Sequence, residues 1–161
     1  MTETPSVAAA AARIARADIA RVDIVRSARG WIGTPYHHQA SLRGVGADCL
    51  GLVRGVWREA MATEPEHPPA YTRDWAEASS EETMLAAARR HFVETTLERA
   101  RPGDVLIFRL RAGCVAKHAG VLATPTTFVH AAEGSAAAEV TLSAWWRRRI
   151  AAVFAFPGVA D

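Results

Sequence analysis

The feature that most constrains this chain is a loop that runs straight into a cysteine at the start of a glycine-bearing helix. Residues 33–47, GTPYHHQASLRGVGA, hold glycines and a proline and show no apolar periodicity, which marks a loop. From Cys49 to Ala60 the apolar residues fall at Cys49, Val53, Val56, Trp57 and Ala60, three and four apart, which predicts a helix with Cys49 at its start. Gly51 and Gly55 lie on a shared line of that helix. Each lowers helix propensity by about 1 kcal/mol relative to Ala, so their expected use is close packing against another backbone, with a sheet as the natural neighbour.

Elsewhere the pattern orders helices before strands. Ile19, Val22, Val25 and Ala28 recur every third position, which predicts an amphipathic helix from about residue 13 to Ile32, ended by Gly30 and Gly33. Residues 1–12 are expected to be a flexible N-terminus and 13–161 one folded domain, as suits a chain of 161 residues. Residues 62–80, with Pro65, Pro68 and Pro69, read as a long irregular connection covering a face of the domain. Glu81–Phe92 reads as helical. After a turn at Arg101, Pro102 and Gly103, Val105–Leu110 reads as a buried strand, and Lys117–Ala123 and Thr127–Ala132 as a hairpin. Val140–Leu142 and Ile150–Phe156 add strands. The fold class is α+β, with N-terminal helices packed on one side of an antiparallel sheet.

Charge and cysteine usage exclude several classes. A formal charge of +2, from 19 Lys plus Arg and 17 Asp plus Glu, falls short of a nucleic-acid binder, so no nucleic-acid partner is expected. No stretch approaches the ~20 apolar residues of a membrane span, and the N-terminus has an acid before any base, so neither membrane insertion nor a secretory signal is expected. Two cysteines make no disulfide framework, which leaves each as a buried hydrophobe, a metal ligand or a reactive thiol.

Cys49 follows Asp48 at a helix start, where unpaired amides and the helix dipole favour a thiolate, so its pKa is expected to fall. If the hairpin turns about Pro125, facing residue numbers sum to about 250. His130 then faces Gly120, and His118 becomes its diagonal neighbour on the same face, within reach of a hydrogen bond. A base oriented by a third polar group is what nucleophilic cysteine catalysis needs. The adjacent His37 and His38 lie in the loop, where solvent exposure is the ordinary reading. Cys114 and His118 have a metal-like spacing that Cys49 and His130 could complete, but the sequence lacks a second closely spaced ligand pair, so no metal is expected.

With GTPYHH, GADCLGL, RPGDVLIF, KHAGVL and FVHA in that order, the chain resembles the NlpC family of papain-like cell-wall cysteine peptidases over residues from about 20 to 156. DCLGL, PAYTRDWAEA and AWWRRRI look like the branch carried in phage tail modules and gene transfer agents. The resemblance implies Cys49 as nucleophile, His118 as general base and later general acid, and His130 as the residue that orients His118. It implies that Tyr36 lines the substrate cleft and that Asp48 helps hold the free amino end of a peptide stem. The implied reaction is hydrolysis of peptidoglycan stem peptides between γ-D-glutamate and a diamino acid, with no cofactor. Leu50 stands where many members carry Ser, which removes a hydroxyl beside the substrate amine.

The same resemblance implies a product made in the cytoplasm without a signal peptide and carried to the wall in a phage-like particle, with tail hub or tail-tip proteins as partners. A rival reading is a structural tail-tip component with weak or no peptidase activity. Trp145, Trp146, Arg147, Arg148 and Arg149 suit an interface, or else a strand with one packed and one solvated face. An acyltransferase on the same type of fold is a third reading.

Overall fold

The computed structural model describes residues 19–64, 66–68 and 80–160. The expected flexible N-terminus, the first turns of the expected N-terminal helix and the segment PAYTRDWAEA lie outside the described residues. Ile19–Ala20 form a short strand, β1, and α1 spans Arg21–Gly30. A small hairpin of β2 (Ser41–Leu42) and β3 (Gly46–Ala47) lies within the loop, and α2 spans Cys49–Met61. The helix α3 (Thr83–His91) leads into strand β4 (Val93–Thr95). Then come β5 (Val105–Phe108), β6 (His118–Thr124), β7 (Thr127–His130) and β8 (Ala138–Thr141). A short helix α4 (Ala144–Arg147), β9 (Ile150–Ala155) and β10 (Val159–Ala160) complete the described chain.

The main sheet has six strands in the order β4-β9-β5-β6-β7-β8, every pair antiparallel. Because side chains alternate across a strand, the sheet builds two cores. Val105, Ile107, Ala119, Val121, Val129 and Phe154 face the buried sides of α1, α2 and α3. Leu106, Phe108, Leu122, Phe128, Leu142 and Val153 form a second cluster on the other face, closed over by Trp146. The α+β reading with helices on one side therefore holds, and the far face is covered by a helical turn.

Two sequence expectations need correction. The stripe on α1 that reaches the core is Ile24, Val25 and Ala28, while Val22 is 61% exposed. Ile19 is not helical: β1 pairs in parallel with β10, and this pairing ends the helix at Arg21. A buried ion pair anchors that helix start, with Arg21 Nη1 2.6 Å from Oδ1 of Asp104, the residue just before β5.

The glycines of α2 do sit at close approaches, but against a loop and an indole rather than a sheet. A Cβ on Gly51 would lie 1.8 Å from the Ala40 carbonyl oxygen, and one on Gly55 1.9 Å from the Trp31 ring. The Ala40 carbonyl is backbone and cannot turn aside. Gly51→Ala is therefore expected to destabilise by about 3 kcal/mol in urea unfolding, although helix propensity alone would favour Ala by about 1 kcal/mol. A stabilised variant would mean the loop is free to move away.

Candidate active site

The start of α2 is fixed by Asp48. Its Oδ1 accepts from Gly51 N at 2.7 Å, the helix-capping bond, and its Oδ2 accepts from Gln39 N at 2.8 Å. One buried carboxylate thus caps the helix and pins the preceding loop to it. Cys49 follows as the first helical residue, half-buried, and its Sγ donates to the Lys117 carbonyl oxygen at 3.6 Å.

The next residue after Lys117 is His118, the first of β6. The hairpin pairs Val121 with Val129 and Leu122 with Phe128, so facing numbers sum to 250, the register expected from the sequence. His118 and His130 therefore share a face, and His118 Nε2 lies 2.8 Å from His130 Nδ1. Both rings are buried. Gly120 makes room for this: a Cβ there would lie 2.8 Å from the Val129 carbonyl oxygen and 3.2 Å from His130 Cβ. Trp146 stacks on His118 with ring centroids 5.5 Å apart and planes at 27°, while Phe108 packs tilted against His118 and Phe128 tilted against His130.

The rings point to the sheet face away from α2, yet His118 opens its strand and Cys49 opens its helix, so both reach the same end of the sheet. There a cleft of about 250 Å³ is lined by Tyr36, His38, Asp48, Cys49, His118 and Trp146, among others. His118 Nε2 is engaged by His130, which leaves Nδ1 as its second ring nitrogen. A second, apolar cavity of about 170 Å³ adjoins the cleft, and Leu50 and Met84 line both. Leu50, next to the sulfur in sequence, thus stands between the two cavities.

The electrostatics reverse one expectation. Burial, and then the neighbouring Asp48 carboxylate, push the Cys49 thiol up to about 12, against backbone N–H groups of Ala119, Leu50 and Cys49 that pull the other way. Burial, and then His130, push His118 down to about 3. Burial likewise lowers His130. The helix-start amides do favour a thiolate, but desolvation outweighs them. Both shifts favour the neutral forms, a thiol and an imidazole lining the same cleft.

The structure brings Tyr36, Asp48, Cys49 and His118 to one cleft, while His130 stands outside its lining and reaches it only through His118. His37 is exposed, while His38 lines the cleft with Nδ1 3.9 Å from Asp48 Oδ2. Cys114 is exposed on the loop before β6, and among the described residues no group of three or more His, Cys, Asp and Glu is placed to hold a metal ion. Sequence reasoning missed Trp146 as a wall of the site. It lies in α4 rather than a strand, and the signal was Ser143, whose hydroxyl accepts from Trp146 N and caps the turn. Trp145 turns outward, 45% exposed, with the Arg149 guanidinium 3.6 Å above its ring.

Three helices on one face of an antiparallel sheet, with a cysteine opening the long helix and a histidine opening the strand beside it, define the papain-like α+β class. Residues 33–154 match the NlpC/P60 family, and the chain belongs to that family. It is 28% identical over 141 residues to the gamma-DL-glutamyl hydrolase of Bacillus subtilis (strain 168), in a match covering 85% of this chain. The chain spans only 30% of that relative's length. Among solved structures it resembles the NlpC/p60 domain of the peptidoglycan hydrolase SagA, at 18% identity and a TM-score of 0.61, covering 84% of this chain and 98% of that one. An NlpC/P60 family protein from Bacillus cereus ATCC 10987 gives 17% identity and a TM-score of 0.62, covering 88% of this chain and 43% of that one. At these identities the structures speak for the fold.

Proposed function

We propose that this chain is a cysteine endopeptidase that hydrolyses peptidoglycan stem peptides at the amide between γ-D-glutamate and a diamino acid. The observation that carries the reading is Cys49 and His118 on one cleft, with His130 hydrogen-bonded to His118. The name of the Bacillus subtilis relative, a gamma-DL-glutamyl hydrolase, supports the choice of bond.

In this reading Cys49 Sγ attacks the scissile carbonyl as His118 Nδ1 takes its proton, and the oxyanion meets the backbone N–H of Cys49 at the helix start. The C–N bond breaks as the imidazolium gives that proton to the departing amine, leaving a thioester. Water then attacks the thioester, losing its proton to His118, and the carboxylate product leaves as the thiol regains it. His130 holds the His118 ring and its tautomer. Tyr36 lines the cleft, and Asp48 offers negative charge to a substrate ammonium group.

The test is incubation of the purified chain with a synthetic L-alanyl-γ-D-glutamyl-diamino acid peptide, with products identified by mass spectrometry. Cleavage after the glutamyl residue is expected, and an intact peptide would overturn the assignment of the bond. His130→Ala is expected to lower kcat by about 10²-fold, less than His118→Ala, because it orients the base without taking the proton. Equal losses would mean that both rings handle protons.

We further propose that the chain travels in a phage-tail-like particle or gene transfer agent, seated against tail hub or tail-tip proteins. The support is the likeness of DCLGL and AWWRRRI to that branch, together with the exposed Trp145, which packs edge-on against the cleft-lining Trp146. Mass spectrometry of purified particles is expected to find the chain, and particles lacking it would overturn this placement. A structural tail-tip role without chemistry shares the Trp145 observation, and cleavage of the stem peptide by the purified chain, lost in Cys49→Ala, separates the two.

A further inference from the structure

Between β5 and β6 the chain makes an excursion, residues 109–117, that ends one residue before His118. Two of its members, Leu110 and Lys117, line the cleft, and the Lys117 carbonyl is the acceptor for the Cys49 thiol. How this loop is held therefore decides where sulfur and imidazole sit relative to each other.

Backbone bonds hold its base. Lys117 N donates to the Phe108 carbonyl at 3.3 Å, and Arg109 N donates to the Arg149 carbonyl at 2.8 Å. Arg149 Nε also donates to the Leu110 carbonyl at 3.3 Å. A further tie comes from a separate element. Glu82, the residue before α3, accepts from Ala116 N through Oε2 at 2.9 Å and from the Arg109 guanidinium through Oε1 at 2.5 Å. One carboxylate thus grips both arms of the loop's neck, from a residue more than 25 positions away in sequence, at separations of 27 and 34. Burial opposes the charge, but Arg109, the Ala116 N–H and the nearby Arg89 together hold the carboxyl below its usual range.

We propose that Glu82 is a positioning residue for the active site: by tying Ala116 and Arg109 together it sets the height of the Lys117 carbonyl and the His118 ring over Cys49. Ala116 N and the His118 Cα are separated by two residues of planar peptide, so a displacement at one is passed to the other with little to absorb it. Alignment of reacting groups is steep in its effect on rate, whereas a half-exposed ion pair contributes little to stability. The inference rests on the reading of Cys49 and His118 as the reacting pair.

The test uses the full chain with Cys114→Ser, so that alkylation reports Cys49 alone. Alkylation by iodoacetamide is followed from mildly acid to alkaline pH, alongside kcat and KM on the stem peptide, for Glu82→Gln and Glu82→Asp. Gln keeps an acceptor for the Ala116 N–H but turns an amide NH2 toward Arg109, so the neck should spread. The expected result is a displaced alkylation profile and a kcat lowered about tenfold with KM within about twofold, the Asp variant lying between Gln and wild type. A lowered melting temperature with an unmoved alkylation profile would overturn the proposal, as would wild-type kcat. If Glu82→Gln does not fold, Arg109→Gln removes one arm only and carries the same expectation. Because alkylation needs no peptide, a shifted profile would stand even if the proposed substrate were wrong.

Discussion

Cys49→Ala is expected to abolish release of muropeptide fragments from purified sacculi, by at least about 10⁴-fold, while leaving the fold in place. The loss should be near total because no other described group in the cleft combines a nucleophile with the histidine pair: Cys114 is exposed and absent from the cleft wall. The fold should survive because the helix start is held by the Asp48 carboxylate and not by sulfur. Removing one sulfur atom from a half-buried position costs about 1 kcal/mol, a shift of a few degrees in melting temperature. Unchanged release by the variant would remove Cys49 from the chemistry. The neutral resting pair adds a second signature: alkylation of Cys49 should be slow at neutral pH and climb toward alkaline pH, without the acid plateau of a preformed ion pair.

The histidine pair should also make the protein sensitive to mild acid. His118 stays neutral in the fold down to about 3, whereas the unfolded chain takes up that proton near 6.5. The unfolded state therefore binds more protons as pH falls below about 6.5, and stability drops by up to about 1.4 kcal/mol per unit. His130, shifted in the same direction by burial, adds to the slope. Cys49 acts at the other end. The unfolded thiol ionises near 9.0 while the folded one holds its proton to about 12, so stability declines as pH rises through that range. Urea unfolding should give a plateau between these limbs. The paired glutamates begin to titrate only near their ordinary value of 4.5, which leaves the interval from there to about 6.5 to the histidines. In that interval His118→Gln should flatten the curve. An acid limb of wild-type steepness in that variant would mean that His118 is solvated and protonates freely.

Local patterns carried the reading a long way, and where they stopped has physical causes. The helix at Cys49 was legible because its stripe and its capping Asp48 agree, and the hairpin because a two-residue period and one turn fix every pairing in it. The His118–His130 contact followed from that register alone. Val22 misled because a three-residue recurrence on a short helix fits more than one face, and only the packing of Ile24 decides between them. The thiol's acidity was misjudged because helix-start amides are visible in a sequence and burial is not. Trp146 was invisible for a related reason, since it matters through the imidazole stacked across from it.

The sulfur and its imidazole come from opposite halves of the polypeptide, one from the helical layer and one from the strands, with 68 positions between Cys49 and Lys117. In the proposed mechanism neither half can react alone. Catalytic competence should therefore appear late in folding and vanish at the same denaturant concentration as the global transition, with no partly folded species retaining turnover. For an enzyme of this kind, a fragment released by proteolysis between the two halves would be inert, and mixing purified fragments would restore turnover only to the extent that the layers re-dock.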